Sequence, residues 1–274
     1  MSDSPIGHVV EGMSVEEYHA PRVGVVSKSA LDQIHRSPAH YRAWLEGKLD
    51  RPDSRALTFG RAFHCAVLEP DVFARSYAVQ PDFGDCRFKE AKQARDRWRA
   101  ENDGKEFVSA DDFEAIRAMA TSVLTHPIAG KMLKNGKPEL TIKWTDVETG
   151  LPCKCRADYY VASRGMILDV KTTEDARPEA FKRSVYQYRY HVQDALYRAG
   201  FAAAGLDARY FILVAVEKSP PFCASVYQLD ASAVEKGHAA ARQDIETMAR
   251  CVATNQWDGY PTSIQDLSLP PWAA

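Results

Sequence analysis

Before Glu139 the apolar residues of this chain recur every three or four positions, and from Glu139 onward they first recur every second position. The first pattern predicts helices. Ser29-Ala-Leu-Asp32 reads as a capping box ahead of Ile34, and Pro38 restarts a short helix through Tyr41, Trp44 and Leu45. Leu57 to Leu68 reads as a buried helix ended by Glu69-Pro70, and Ser109 caps a helix that runs to about Leu124, with Pro127 beyond it. Then Glu139 to Trp144, Cys153 to Val161 and Met166 to Thr172 alternate as strands joined by short turns, which predicts a meander. A long helix follows over roughly Pro178 to Ala204, and Arg209 to Glu217 and Phe222 to Leu229 are two further strands. Ser232 to Glu235 caps a last helix reaching about Val252, and the tail Leu269-Pro-Pro-Trp272 cannot be helical throughout. The order β-β-β-α-β-β-α behind a helical opening predicts an α/β (α+β) fold with a mixed central sheet flanked by helices. No internal repeat or linker interrupts it, so residues 1–274 read as one domain, with 1–20 a flexible N-terminal segment.

Composition narrows the class without naming it. With 45% hydrophobic and 26% charged residues, the 274-residue chain is globular and long enough to fold without disulfide or metal staples. Lys+Arg 35 against Asp+Glu 37 gives a net charge of -2, which argues against coating nucleic acid through bulk positive charge. The longest apolar run, Tyr210 to Val216, is far short of the ~18 residues of a membrane span, and Met1 to His8 shows no signal-peptide pattern. Cys65, Cys86, Cys153, Cys155, Cys223 and Cys251 form no CxxC pair and read as reduced thiols of a cytoplasmic protein. Cys153 and Cys155 read as small core residues on a strand, and Cys223 and Cys251 are too few and too distant for an iron–sulfur cluster.

Chemistry concentrates on the meander. Alternation places Glu139, Thr141 and Lys143 on one face of the first strand, Arg156 and Asp158 on one face of the second, and Asp169 and Lys171 on one face of the third. If the strands pair as hairpins, Glu139, Asp158, Asp169 and Lys171 project from one side of the sheet. Converging carboxylates repel unless a cation sits among them, and oxygen ligands select Mg²⁺ or Mn²⁺. A lysine two residues beyond a ligand can hold a water, and the set suits attack of water on a phosphodiester. Alternating charges on a strand are most often a solvated face with cross-strand ion pairs. Asp169 stands apart from that reading because it lies inside an apolar run, Met166-Ile-Leu-Asp-Val-Lys171. Gln193 and Tyr197, four apart, share a helical face that Tyr190 and Tyr186 extend, a spacing that equally fits core packing. His64 lies mid-helix four residues after Gly60, where a lone histidine is most often a satisfied core residue.

Together these residues resemble the PD-(D/E)XK nuclease superfamily. Glu139, Asp158 and Asp169-Val-Lys171 are similar to its D…(D/E)XK signature, Gln193-x-x-x-Tyr197 to the QxxxY helix of its RecB-like branch, and Gly60-x-x-x-His64 to the upstream histidine motif. Ser27-Lys-Ser-Ala-Leu31, Phe59 to Pro70, Cys153 to Asp158, Leu168 to Thr173, Tyr188 to Ala195 and Leu267 to Pro270 resemble the nuclease domain of the exodeoxyribonuclease VIII (RecE) family, over about Tyr18 to Trp272. The departures lie mainly between Gln80 and Lys105. The resemblance implies a restriction-endonuclease-like core and a Mg²⁺-dependent (Mn²⁺ substituting), two-metal-type 5′→3′ exonuclease. Such an enzyme degrades one strand of linear double-stranded DNA processively to mononucleotides, leaving 3′ overhangs for recombination and repair. It further implies a ring, a homotetramer, and a RecT-like single-strand annealing partner in prophage recombination.

By carry-over, Asp158 and Asp169 bind metal with the Val170 carbonyl, and His64 and Glu139 complete or flank the site. Lys171 activates or orients water, and Gln193 and Tyr197 support the metal site and the scissile phosphate. Candidate phosphate contacts are Lys28, Arg36, Arg42, Arg55, Arg61, Lys182 and Arg183, with Ser27 and Ser29 at a 5′-phosphate pocket. The alternatives are an endonuclease of the same fold, a single-strand trimming nuclease, or a catalytically silent DNA-end-binding protein. A silent binder has no need of converging carboxylates.

Overall fold

The computed structural model describes residues 6–49, 54–85 and 87–269. The helical opening comprises β1 (Gly7–Val10), α1 (Val15–His19), α2 (Lys28–Arg36), α3 (Pro38–Leu45), α4 (Ser54–Leu68), α5 (Pro70–Ser76), β2 (Tyr77–Val79), α6 (Lys89–Glu101), β3 (Glu106–Val108), α7 (Ala110–Thr125) and α8 (Ala129–Met132). Then come β4 (Lys137–Thr145), β5 (Pro152–Val161), β6 (Met166–Thr173), α9 (Pro178–Gln187), α10 (Tyr190–Ala203), β7 (Tyr210–Glu217), β8 (Ala224–Gln228) and α11 (Ala231–Thr254). The main sheet has six strands in the order β1-β4-β5-β6-β7-β8. Only β6 and β7 run parallel, and β4, β5 and β6 form the expected antiparallel meander.

Two apolar layers sandwich this sheet. One joins Leu140, Ile142, Cys155, Ala157, Ile167 and Leu213 to helices α2, α9, α10 and α11. The other joins Tyr159, Leu168, Val170 and Val214 to α4, α5 and α7. Cys153 and Cys155 are buried core residues, as their strand position implies. No described helix is long and apolar enough to cross a membrane.

Several boundaries differ from those read in the sequence. Helix α2 is capped by Ser27, not Ser29: the Ser27 hydroxyl accepts from the Ala30 N–H at 3.3 Å. Asp230, not Ser232, caps α11 by accepting from Ala233 N–H at 2.8 Å. At α7 the expected Ser109 cap is present. Residues 1–20, read as a flexible segment, contribute from Gly7 onward an edge strand paired with β4 and the helix α1, whose Tyr18 is buried. Residues 1–5 and Cys86 lie outside the described residues, as does the expected non-helical Pro270-Pro-Trp272.

The long helix over Pro178 to Ala204 is two helices. Between α9 and α10 Arg189 adopts a left-handed φ of 54°, so the ladder cannot continue. Arg189 is buried and pinned. Its Nη1 donates to the Leu31 carbonyl at 3.0 Å and to Asp32 at 3.3 Å, and its Nη2 donates to Asp244 of α11. Three fixed partners hold a conformation that helix propensity alone would avoid.

Candidate active site

The site lies where β5 and β6 part. They pair from Tyr159↔Leu168 to Val161↔Met166, so Asp158 and Asp169 stand just past the last pair. Here strict alternation fails on β5, because Ala157 and Tyr160 belong to one apolar layer and Tyr159 to the other. On β4, Glu139 sits between the pairs Pro138↔Tyr159 and Leu140↔Ala157 with a left-handed φ of 50°. A non-glycine residue in that region costs of order 1–3 kcal/mol and collects at functional sites. The expectation that all four residues project from one side of the sheet is therefore corrected. They gather at a split between strands and are met from both layers.

From one layer α4 brings His64, whose Nδ1 is 3.5 Å from Asp158 Oδ2. That same Oδ2 accepts from the Val170 N–H at 2.8 Å, which fixes the carboxylate against β6. One nitrogen of His64 and one oxygen each of Glu139 and Asp158 lie within 4.8 Å of one another. From the other layer α10 brings Gln193, whose Nε2 donates to Asp169 Oδ1, while Lys171 forms an ion pair with Asp169 Oδ2. Asp169 is wholly buried, and a carboxylate in that position needs such a cation. The expected ligand set is thus brought together in two parts: His64, Glu139 and Asp158 in one cluster, Asp169 with Lys171 and Gln193 beside it. Tyr197 is buried in the core layer that carries α10, edge-on to Phe211.

The electrostatics follow from crowding. Burial, and after it the Asp158 charge, pushes Glu139 up to about 7, with Arg156 opposing. Burial raises Asp169 above the usual carboxylate range against the pull of Lys171, and Asp158 adds to the rise. Burial also works against the Lys171 charge, but Asp169 and Asp158 outweigh it and hold the ammonium above its ordinary value. Mutually repelling carboxylates with one imidazole beside them fit a hard divalent cation. His64, Glu139 and Asp158 are the side chains placed to hold it.

Three participants carry no role in the sequence reading. Arg156 stands 4.0 Å from Glu139 Oε2, donates from Nε to Thr141 Oγ1 at 2.7 Å, and lies over the Tyr18 ring at 4.4 Å. Tyr18 itself is delivered by α1, and Ser14-Val-Glu-Glu17 is the capping signal that announces that helix. Tyr190 carries Lys171 Nζ over its ring face at 4.8 Å. Of the candidate phosphate contacts, Ser27 is buried and spent on its cap, Lys28 is paired with Asp32, and Arg42, Arg55 and Arg61 are paired with Glu46, Asp112 and Glu106. Ser29, Arg36, Lys182 and Arg183 are exposed.

Residues 27–267 match the family described as "PDDEXK-like domain of unknown function (DUF3799)". The chain belongs to this family. A crystal structure from Eubacterium rectale, of a protein provisionally named as an exonuclease, is similar in fold, with a TM-score of 0.56 and 13% sequence identity. The match covers 92% of this chain and 96% of that one. Among curated proteins none matches the sequence. Membership places the chain among PD-(D/E)XK-type nuclease domains, the superfamily expected from its motifs.

Proposed function

We propose that this PDDEXK-like domain is a Mg²⁺-dependent 5′→3′ exonuclease that degrades one strand of linear double-stranded DNA. The reading rests first on one observation: the His64, Glu139 and Asp158 cluster beside the Asp169–Lys171 pair at the split between β5 and β6. The exonuclease direction rests on the resemblance of the motifs to the exodeoxyribonuclease VIII (RecE) family, and the name of the Eubacterium rectale protein agrees with an exonuclease. A divalent cation at this site supplies polarisation of the phosphate and an acidified water.

The chain's own residues do the rest. Glu139, Asp158 and His64 hold the cation, and the Val170 N–H keeps Asp158 aimed. Gln193 orients Asp169, and Lys171 Nζ orients the water that attacks phosphorus as the bond to the 3′ oxygen breaks. The attacking water gives up a proton to solvent, the leaving 3′ oxygen takes one from solvent, and a 5′-mononucleotide departs. The same reading includes a homotetrameric ring and transfer of the 3′ overhang to a RecT-like annealing protein in recombination.

Linear duplex labelled at either the 5′ or the 3′ end, with and without Mg²⁺, tests the activity. Mononucleotide label is expected first from the 5′ end, and a covalently closed circle is expected to survive. Cutting of the circle, or earlier release of the 3′ label, overturns the exonuclease direction. Asp158→Asn keeps the side-chain shape and is expected to lower the rate more than ~100-fold at an unchanged melting temperature. Undiminished digestion by that variant would sink the site.

A further inference from the structure

Tyr186 and Tyr188 expose 80% and 54% of their surface at the junction of α9 and α10. An unbroken helix would carry the Gln193/Tyr197 face back to Tyr186, but the break between α9 and α10 leaves Tyr186 exposed. Tyr188 stacks on Tyr190 at 5.8 Å between ring centroids, nearly parallel, and Lys171 Nζ lies over the Tyr190 ring at 4.8 Å. A continuous path of aromatic surface thus leads from the lysine of the site to solvent.

Two features tell what this surface is for. First, it is built rather than incidental. The left-handed, buried Arg189 that separates the inward Tyr190 from the outward Tyr188 is held by α2 and α11, and Lys28 Nζ donates to the Tyr188 carbonyl at 2.9 Å. Second, it is flanked by cations. Lys182 and Arg183 are exposed four and three residues before Tyr186, and so share its helical face. Aromatic faces interleaved with exposed cations are the requirement for holding unpaired nucleotides, since rings stack on bases and cations follow the phosphates.

We propose that Tyr188, with Tyr186, is a base-stacking platform for a single DNA strand beside the site, its phosphates held by Lys182 and Arg183. This deepens the nuclease reading and rests on it for the strand concerned. Binding without catalysis separates the two. In chelator, the full chain is mixed with a labelled oligothymidylate, or with an abasic strand of equal length, and anisotropy is followed at low salt. Tyr188→Leu is expected to weaken the oligothymidylate complex by about five-fold or more, and Tyr188→Phe to bind as the parent does. The abasic strand is expected to bind weakly and to be indifferent to Tyr188→Leu. Equal losses on both strands, or no loss on either, overturn the platform. Loss of oligothymidylate discrimination is read whether or not the chain cuts DNA, so a failed digestion leaves this result standing.

Discussion

Glu139 shows how much chemistry one backbone angle can arrange. Its left-handed φ of 50° departs from strand geometry at the point where its carboxylate must reach Asp158 and His64. Nothing in the residue type announces that angle, since a glutamate on an alternating strand is expected to point to solvent. The sequence did show that an acidic residue in an apolar run, Asp169, has a purpose, because burial of a charge is costly whatever the fold. It placed Lys171, two positions on, on the same strand face, but could not show that Gln193, from a separate helix, donates to the same carboxylate. Gly60 is the complementary case. A Cβ built at Gly60 meets nothing within 4 Å, so neither backbone nor packing demands glycine there. Alanine in a helix interior is favoured over glycine by about 0.5–1 kcal/mol. Gly60→Ala is therefore expected to raise stability by about that amount in urea unfolding. A fall in digestion by this stabilised variant would mean that substrate uses the open space one turn before His64.

The elements were legible where local chemistry and tertiary structure agreed. The meander of β4 to β6 follows from alternation, and α7 from its Ser109 cap. The break between α9 and α10 was not, because residues 178–204 carry a helical pattern with no internal proline, and the glycine there, Gly200, lies within α10 and not at the break. What interrupts it is a set of long-range bonds to Arg189, invisible to any window of neighbouring residues. The edge strand β1 was missed for a similar reason. Gly7–Val10 is too short to show a period, and only its pairing with β4 makes it a strand. The same helices supply a test of how the site is carried. Helix α11 holds Asp244, the anchor of Arg189, and packs on α10 so closely that a Cβ at Gly237 would fall 2.1 Å from the His191 carbonyl oxygen. That neighbour is backbone and cannot rotate away. Gly237→Ala is expected to cost about 1–3 kcal/mol in urea unfolding, as overpacking does. A variant as stable as the parent would mean that α11 slides freely on α10, and that the Arg189 anchor is not rigid.

Across the whole molecule, a net charge of -2 looked unfavourable for a DNA-binding protein, yet part of the acidity is concentrated in one repelling cluster. That concentration has a signature in stability. Glu139 is raised to about 7 from an ordinary 4.5, and Asp169 is raised as well. A carboxylate raised by folding binds its proton more tightly in the native state than in the unfolded one. Its contribution is therefore favourable at low pH and is lost as pH climbs from about 4.5 through about 7. Other groups obscure this in any single melting curve. Asp194 and Asp244 are raised by burial too, whereas His19 and His191 are lowered by burial and act with the opposite sign. Subtraction removes them, because a divalent cation stabilises only through the groups that hold it. Protons compete with it for Glu139 below about pH 7, so the rise in melting temperature on adding Mg²⁺ is expected to be larger at pH 8 than at pH 5.5. In Glu139→Gln the rise should shrink and lose the part of its pH dependence that Glu139 supplies, since the amide cannot titrate. An equal rise at both pH values in the parent protein would mean that the cation binds elsewhere. No rise at either would leave the carboxylates without the ion that their crowding calls for.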